Sequence, residues 1–314
     1  MIAVDPAYPE LSTAPLATSS ASACEPLPLG TATLAMSPAS ASEPQPLVAL
    51  PLPAPLPSML AMCSAFEPLA SGASLPLPVR EEVAHVPGAY LLRGAFSEAE
   101  AARLCSAVRL VHSETLAGHS AHDRRRDSQH HCALHVPAAS LAVLCARLRP
   151  FLPPTAGPGS AAALAPPGSE LSTFLRCYHY TAGDVSNPHF DKSFTHCEHH
   201  VLRSFSAYSL LLYASDQCEG GHTTFFEPGS SPRSQRGALR SVASVRPRVG
   251  DVLVFPHGQH KGAHPSPLHE GSLVESGEKL LVRTDVVYHC PPAAAAAAKS
   301  KAKGADSCAG AAAE

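Results

Sequence analysis

Proline decides where this chain can build a core and where it cannot. Through the first 78 residues it interrupts the apolar runs, as in Pro44-Gln45-Pro46-Leu47-Val48-Ala49-Leu50-Pro51-Leu52-Pro53. A ring that fixes φ and removes the amide donor lets neither a helix nor a strand ladder propagate. Most of what remains there is Ala, Ser and Leu, so residues 1–79 read as a disordered Ala/Pro/Ser-rich arm. A membrane span needs about 18 uninterrupted apolar residues, and the arm offers none. Nor does it have the basic start of a secretory signal or the Arg-rich, acid-poor character of a transit peptide. The first Lys or Arg is Arg80, and Asp5, Glu10, Glu25, Glu43 and Glu67 precede it. The tail, residues 291–314, with its alanine run and Lys299, Lys301 and Lys303, reads as similarly unstructured. One folded domain is therefore expected over residues 80–290.

The ten cysteines are scattered singly, with no Cys-x-x-Cys among them. That argues against a ribbon-type zinc site and fits reduced thiols in an intracellular, cytoplasmic setting, with organelle targeting left open. A net charge of -3 and the absence of Trp point away from a nucleic-acid partner. Two basic clusters, Arg124-Arg125-Arg126 and the set Arg233, Arg236, Arg240, Arg246 and Arg248, read as solvated loops.

From about Val86 the texture changes. Val86 to Leu92 reads as a short apolar strand, and Ser97-Glu98-Ala99-Glu100 has the form of a capping box opening a helix with Leu104, Val108 and Val111 on one face. A second helix starts near Pro137, with Leu141, Leu144, Cys145 and Leu148 on one stripe, and ends at Pro150. Beyond a Gly/Ala/Pro loop the pattern is β-like. Strands are predicted at 171–180, 207–214, 222–226, 241–245, 251–255 and 279–288. Short strands joined by Gly, Pro and Asp turns, with two helices before them, predict a mainly β, α+β chain: a sandwich or jelly roll backed by helices.

The chemistry concentrates in Tyr180-Thr181-Ala182-Gly183-Asp184-Val185-Ser186-Asn187-Pro188-His189-Phe190-Asp191. In extended backbone residues i and i+2 point the same way, so His189 and Asp191 can grip one metal ion. A third ligand would complete a two-His-one-carboxylate face with positions left open. His196-Cys197-Glu198 is a rival pair in a polar run. Further on, His269 precedes a Gly-rich turn and a strand carrying Lys279 and Arg283, whose even spacing sends both cations to one face. A cation on an interior face calls for an anion, which the distal carboxylate of 2-oxoglutarate would supply. The structural alternative is pairing with Asp285 or Glu278 at a sheet edge.

These motifs resemble the prolyl 4-hydroxylase-like branch of the iron(II)/2-oxoglutarate dioxygenases. That pattern runs from a tyrosine to His-x-Asp, then a Gly-Gly-x-Thr-x-Phe strand, a Gly-Asp-x-Leu-x-Phe strand, and His-x-Gly-x-x-Val-x-x-Gly-x-Lys. Here Tyr180 leads to His189 and Asp191. Gly220-Gly221-His222-Thr223-Thr224-Phe225 follows, then Gly250-Asp251-Val252-Leu253-Val254-Phe255, then His269 through Lys279. The resemblance spans residues 86–290 and implies a double-stranded β-helix core. It also implies iron on His189, Asp191 and His269, and Lys279 on the co-substrate's carboxylate with Arg283 in reserve. Tyr180 would donate a hydrogen bond nearby, Thr223 would line the pocket or serve the strand, and ascorbate would be the reductant. His257, His260 and His264 stand as rivals to His269, although its spacing to Lys279 favours it.

The implied reaction hydroxylates an unactivated C–H bond with O2 and 2-oxoglutarate, and the protein's task is positioning. A peptidyl proline is the first substrate to test, beside another protein side chain or a small metabolite. The rival class is a non-catalytic metal-binding or sensory β-domain. A structural zinc site would fill its shell with protein ligands and would have no use for Lys279.

Overall fold

The long stretch that ends in Val286-Val287-Tyr288 becomes an inner strand of the larger sheet, next to its middle strand. In the computed structural model, the described residues are 56–67, 77–117, 131–198, 201–232, 238–258, 260 and 262–291. Strands are numbered in chain order: β1 (Val79–Glu82), β2 (Tyr90–Arg93), β3 (His131–His135), β4 (Ala163–Leu164), β5 (Phe174–Thr181), β6 (Ser186–His189) and β7 (Thr195–Glu198). They continue with β8 (Val201–Tyr213), β9 (Cys218–Gly220), β10 (Thr223–Phe226), β11 (Ser241–Val245), β12 (Val252–Pro256), β13 (His269–Gly271) and β14 (Val274–His289). The larger sheet runs β1-β2-β12-β8-β14-β5-β3, with β4 and β9 on β14 and β7 on β8; the smaller runs β11-β10-β13-β6. Every named strand pair is antiparallel. This is the expected jelly-roll core.

Strand β12 and the later parts of β8 and β14 are buried on both faces; β12 reads as a continuous apolar run, while Ser206 and Ser209 interrupt β8 and Lys279, Arg283, Thr284 and Asp285 interrupt β14. Their alternate residues serve two cores. Leu210, Leu212, Val252, Val254, Leu280 and Val282 pack with the helices, while Leu211, Tyr213, Leu253, Phe255 and Leu281 meet Phe225 and Val245 of the smaller sheet. A one-residue slip would exchange those cores, so the register is strongly specified.

Helix α2 (Glu98–Ala117) begins at the predicted capping box. The Glu100 amide donates to Ser97 Oγ at 3.2 Å, and the Ser97 amide donates back to Glu100 Oε2 at 2.9 Å. The second expected helix starts as a tight 3-10 turn, Ala138–Leu141, and continues as α3 (Ala142–Leu148), with all four stripe residues buried.

Several boundaries shift. Tyr90–Arg93 is a strand, but Val86 to Gly88 forms the turn before it, and β1, β3, β4, β6, β7, β9 and β13 are additions. Strand β8 starts at Val201 and β14 at Val274, both earlier than expected, because pairing partners extend them beyond their apolar portions. Within the stretch read as an unstructured arm, Pro57–Ala65 forms a helix, α1, whose Met62 joins the helix-side core with Phe66 just beyond it. The proline-free window between Pro57 and Pro68 is the sequence signal for it. Residues 1–55, Arg124-Arg125-Arg126, Arg233, Arg236 and the tail after Pro291 lie outside the described residues. No helix among the described residues is long and apolar enough to cross a membrane.

Candidate metal and co-substrate site

Register brings the two histidines together. Strands β13 and β6 pair with His269 directly opposite His189, and the ring centroids lie 4.4 Å apart. Asp191, two residues beyond His189 in the loop after β6, turns to the same side. Ligand atoms of His189, Asp191 and His269 all lie within 4.8 Å of one another, the single such group among the described residues. His189 Nε2 is 3.5 Å from Asp191 Oδ1, and His269 Nε2 is 3.8 Å from Asp191 Oδ2.

Both imidazoles are set for ligation by their other nitrogen. His189 Nδ1 lies 2.7 Å from the Asn187 carbonyl and His269 Nδ1 lies 3.1 Å from the Pro267 carbonyl. A carbonyl only accepts, so each Nδ1 carries a proton, and in the neutral ring Nε2 is the nitrogen left to ligate a metal. His269 sits against Phe225 and Phe255, with centroids 5.9 and 4.7 Å away. Burial there pushes its pKa down to about 4, which keeps the ring neutral at physiological pH. His189 is more exposed, at the mouth. Burial opposes its charged form too, but the Asp191 carboxylate outweighs that and raises its pKa. For Asp191 burial works upward, yet Arg283 first and then the two imidazoles hold its carboxyl well below the ordinary range.

The two strand cations diverge. Arg283 donates from Nη1 to Asp191 Oδ1 and from Nη2 to Asp285 Oδ1 at 3.2 Å, so the proposed pairing with Asp285 is realised on a central strand rather than at an edge. Glu278 pairs instead with Arg109 and His179. Lys279 is 2% exposed, and among the described residues no carboxylate pairs with it. Its Nζ donates to the Gly221 carbonyl at 2.6 Å and lies 5.5 and 5.8 Å from the ring centroids of Tyr180 and Tyr213. Burial pushes its pKa down to about 8. Gly221 needs to be glycine: its φ is +63°, and a Cβ there would crowd Cys218, Val274 and the Lys279 stem at 3.2–3.4 Å.

One cavity is lined by His189, Asp191, His269, Lys279 and Arg283, together with Tyr180 and Thr223. Thr223 Oγ1 is 2.8 Å from the Tyr213 hydroxyl, and Tyr180 stacks on Tyr178 with an interplanar angle of 9°. The rival ligands lie elsewhere. His196, Cys197 and Glu198 are exposed on β7. His260 packs on Phe205, and the His264 ring lies against Gly88. His257 is fully buried between Ser206 and Ser209. Those two serines were missed in the sequence, where their signal is a pair of hydroxyls inside the otherwise apolar run from Phe205 to Ala214.

A jelly roll carrying two histidines and one carboxylate, with no fourth ligand in the group among the described residues, has the donor set of a non-haem iron(II) oxygenase. No protein-family model matches the sequence, and no curated protein matches it. Among solved structures the chain is similar to a viral collagen prolyl hydroxylase from Paramecium Bursaria Chlorella virus-1. For its 2OG complex the identity is 14%, covering 65% of this chain and 96% of that one, with a TM-score of 0.37. For a truncated form the values are 16%, 70%, 98% and 0.40. It is also similar to HygX from Streptomyces hygroscopicus with nickel and 2-oxoglutarate bound, at 15% identity, covering 64% of this chain and 82% of that one, with a TM-score of 0.38. At TM-scores of 0.40 and below these are distant likenesses of fold.

Proposed function

We propose that the protein is an iron(II)- and 2-oxoglutarate-dependent oxygenase that hydroxylates an unactivated C–H bond. The observation that carries this reading is Lys279, a buried cation without a carboxylate partner in the same cavity as a His-Asp-His group. A buried unpaired charge is unfavourable unless a ligand neutralises it. A purely structural metal site gives no reason for one.

In this reading His189, Asp191 and His269 hold the metal through Nε2, a carboxylate oxygen and Nε2. The bound metal and co-substrate supply the oxidising chemistry. Lys279 receives the distal carboxylate of 2-oxoglutarate, Tyr180 and Thr223 shape the pocket around it, and ascorbate serves as reductant. Arg283 is engaged by two aspartates, which supports a bracing role on Asp191 and favours Lys279 over it for the co-substrate's carboxylate.

A peptide is the substrate class the surface favours. An apolar groove beside the site is lined by Val86, Pro87, Phe190, Phe226, Pro267 and Leu268, so residues flanking both His189 and His269 contribute to it. Ser266 Oγ is buried there without a hydrogen-bond partner among the described residues, which suits a bound backbone amide or carbonyl. Peptidyl proline is the first side chain to test, and a cytoplasmic setting belongs to the same reading.

The test is an anaerobic titration of the full chain with iron(II) and 2-oxoglutarate, watching for the visible iron-to-keto-acid charge-transfer band. The band is expected in the wild type and absent from Asp191→Ala and His269→Ala. A folded wild-type protein without the band would overturn the proposal in favour of a non-catalytic domain.

A further inference from the structure

Asp191 is held by a ring of hydrogen bonds whose direction can be worked out proton by proton. Ser209 Oγ contacts Asp191 Oδ2 and lies 2.7 Å from His257 Nδ1. His257 Nε2 lies 2.8 Å from Ser206 Oγ, and Ser206 Oγ accepts from the Phe194 amide at 3.1 Å. Phe194 stands three residues after Asp191, so the main chain closes the ring. Ser206, Ser209 and His257 are each 0% exposed, and Asp191 is 3% exposed.

An ionised carboxylate only accepts, so the single Ser209 proton goes to Asp191. Ser209 Oγ must then accept, which puts the proton of the neutral His257 ring on Nδ1. Burial lowers the His257 pKa and favours that neutral form. Its Nε2 therefore accepts from the Ser206 hydroxyl, whose oxygen accepts from the Phe194 amide. Every donor in the ring points round toward the Asp191 carboxylate. A chain oriented in one direction inside a low-dielectric interior polarises each of its members.

We propose that His257, acting through Ser209, is the positioning residue that holds Asp191 in its metal-binding orientation and ties residues 191–194 to the same anchor. This rests on the reading of His189, Asp191 and His269 as a metal site. The ring itself involves no metal, so its direction has a test of its own. Nitrogen NMR of His257 in the metal-free full-length protein is expected to show the Nδ1–H tautomer; the Nε2–H tautomer would overturn the proposal.

The second measurement is cobalt(II) affinity by equilibrium titration of the full chain. Losing a partner behind a ligand costs about 10–100-fold in metal affinity, and that loss is expected for His257→Leu and for Ser209→Ala. Ser209→Ala changes little volume and covers the case in which the leucine variant does not fold. His257→Asn, which keeps an N–H for Ser209, is expected to recover most of the affinity. A merely structural histidine would lower the unfolding temperature of the leucine variant and leave the affinity of its folded fraction unchanged. Wild-type affinity in folded His257→Leu or Ser209→Ala sinks the positioning role. If the wild type binds no cobalt, the metal-site reading and the positioning role built on it both fail, and the tautomer still reports whether the ring exists.

Discussion

Lys279 carries an electrostatic penalty that the pairs around it avoid. Its folded pKa of about 8 lies below the ordinary 10.5, so between those values the folded protein binds fewer protons than the unfolded chain. Its stabilising contribution is therefore complete above the ordinary value and is lost as pH falls through about 8. At neutral pH the residue is charged, buried and, among the described residues, without a carboxylate partner. Lys279→Met should therefore unfold at higher urea than the ligand-free wild type at pH 7, by on the order of 1–3 kcal/mol, with the gap closing toward pH 10. The same variant should lose 2-oxoglutarate affinity by about 30-fold or more, as truncation of one buried charge partner does. Calorimetric titration and urea unfolding check the two halves together. In the wild type, 2-oxoglutarate affinity should hold below about pH 8 and fall above it, as the ammonium loses its proton.

At the scale of elements, α1 and α2 answer different questions. Met62 is wholly buried on α1, so Met62→Ala should lower stability by about 2–5 kcal/mol, which urea unfolding would report. A null effect would mean that Pro57–Ala65 does not pack on the domain. On α2 the capping box is joined to a second partner, since Glu100 also accepts from Arg147 at 2.8 Å. Ser97→Ala should cost about 1 kcal/mol in the same assay and leave cobalt affinity unchanged, because the helix packs on the face of the large sheet opposite the site. Both elements show partial legibility. The capping box was plain in four residues, whereas α1 was hidden by the prolines on either side of it. Strand ends were misplaced for a related reason: Val201 to Ser204 and Val274 to Gly277 are strands because of their partners, not their composition.

The whole molecule should be sensitive to acid in two stages when metal-free. His269 has a folded pKa of about 4 against an ordinary 6.5, and His257 is also lowered. Both contribute stability that is present above the ordinary histidine value and is lost as pH falls from about 6.5 toward 4. His189, raised by Asp191, runs the other way: its contribution is present at low pH and is lost as pH rises through its folded value. Below about pH 4 the carboxylates take over, because Asp191, Glu100 and Glu170 are all held low and must be protonated for unfolding to gain from acid. Thermal melts across this range should show the unfolding temperature falling in both stages. A divalent metal at about 100 times its dissociation constant should add about 2.7 kcal/mol at neutral pH.

Backbone period alone singled out His189 with Asp191 and Lys279 with Arg283, because a pair at i and i+2 and two cations on one strand face are local statements, whereas His269 entered through the order of the motifs and the resemblance they carry. Local pattern likewise located two helices and seven of the fourteen described strands, the seven being β2, β5, β8, β10, β11, β12 and β14. Which cation stays free was not local. Lys279 and Arg283 share a strand face, and only the approach of Asp191 from the loop after β6 takes Arg283 and leaves Lys279. The pairing of His189 with His269 needed the register of β6 on β13, strands 80 residues apart at those positions. His257 was visible as a histidine among rivals, and packing buries it between Ser206 and Ser209, outside the His189-Asp191-His269 group. Sequence determined the donors, since chemistry belongs to residue types; tertiary structure decided which of them meet, since burial and register are properties of the assembled sheets.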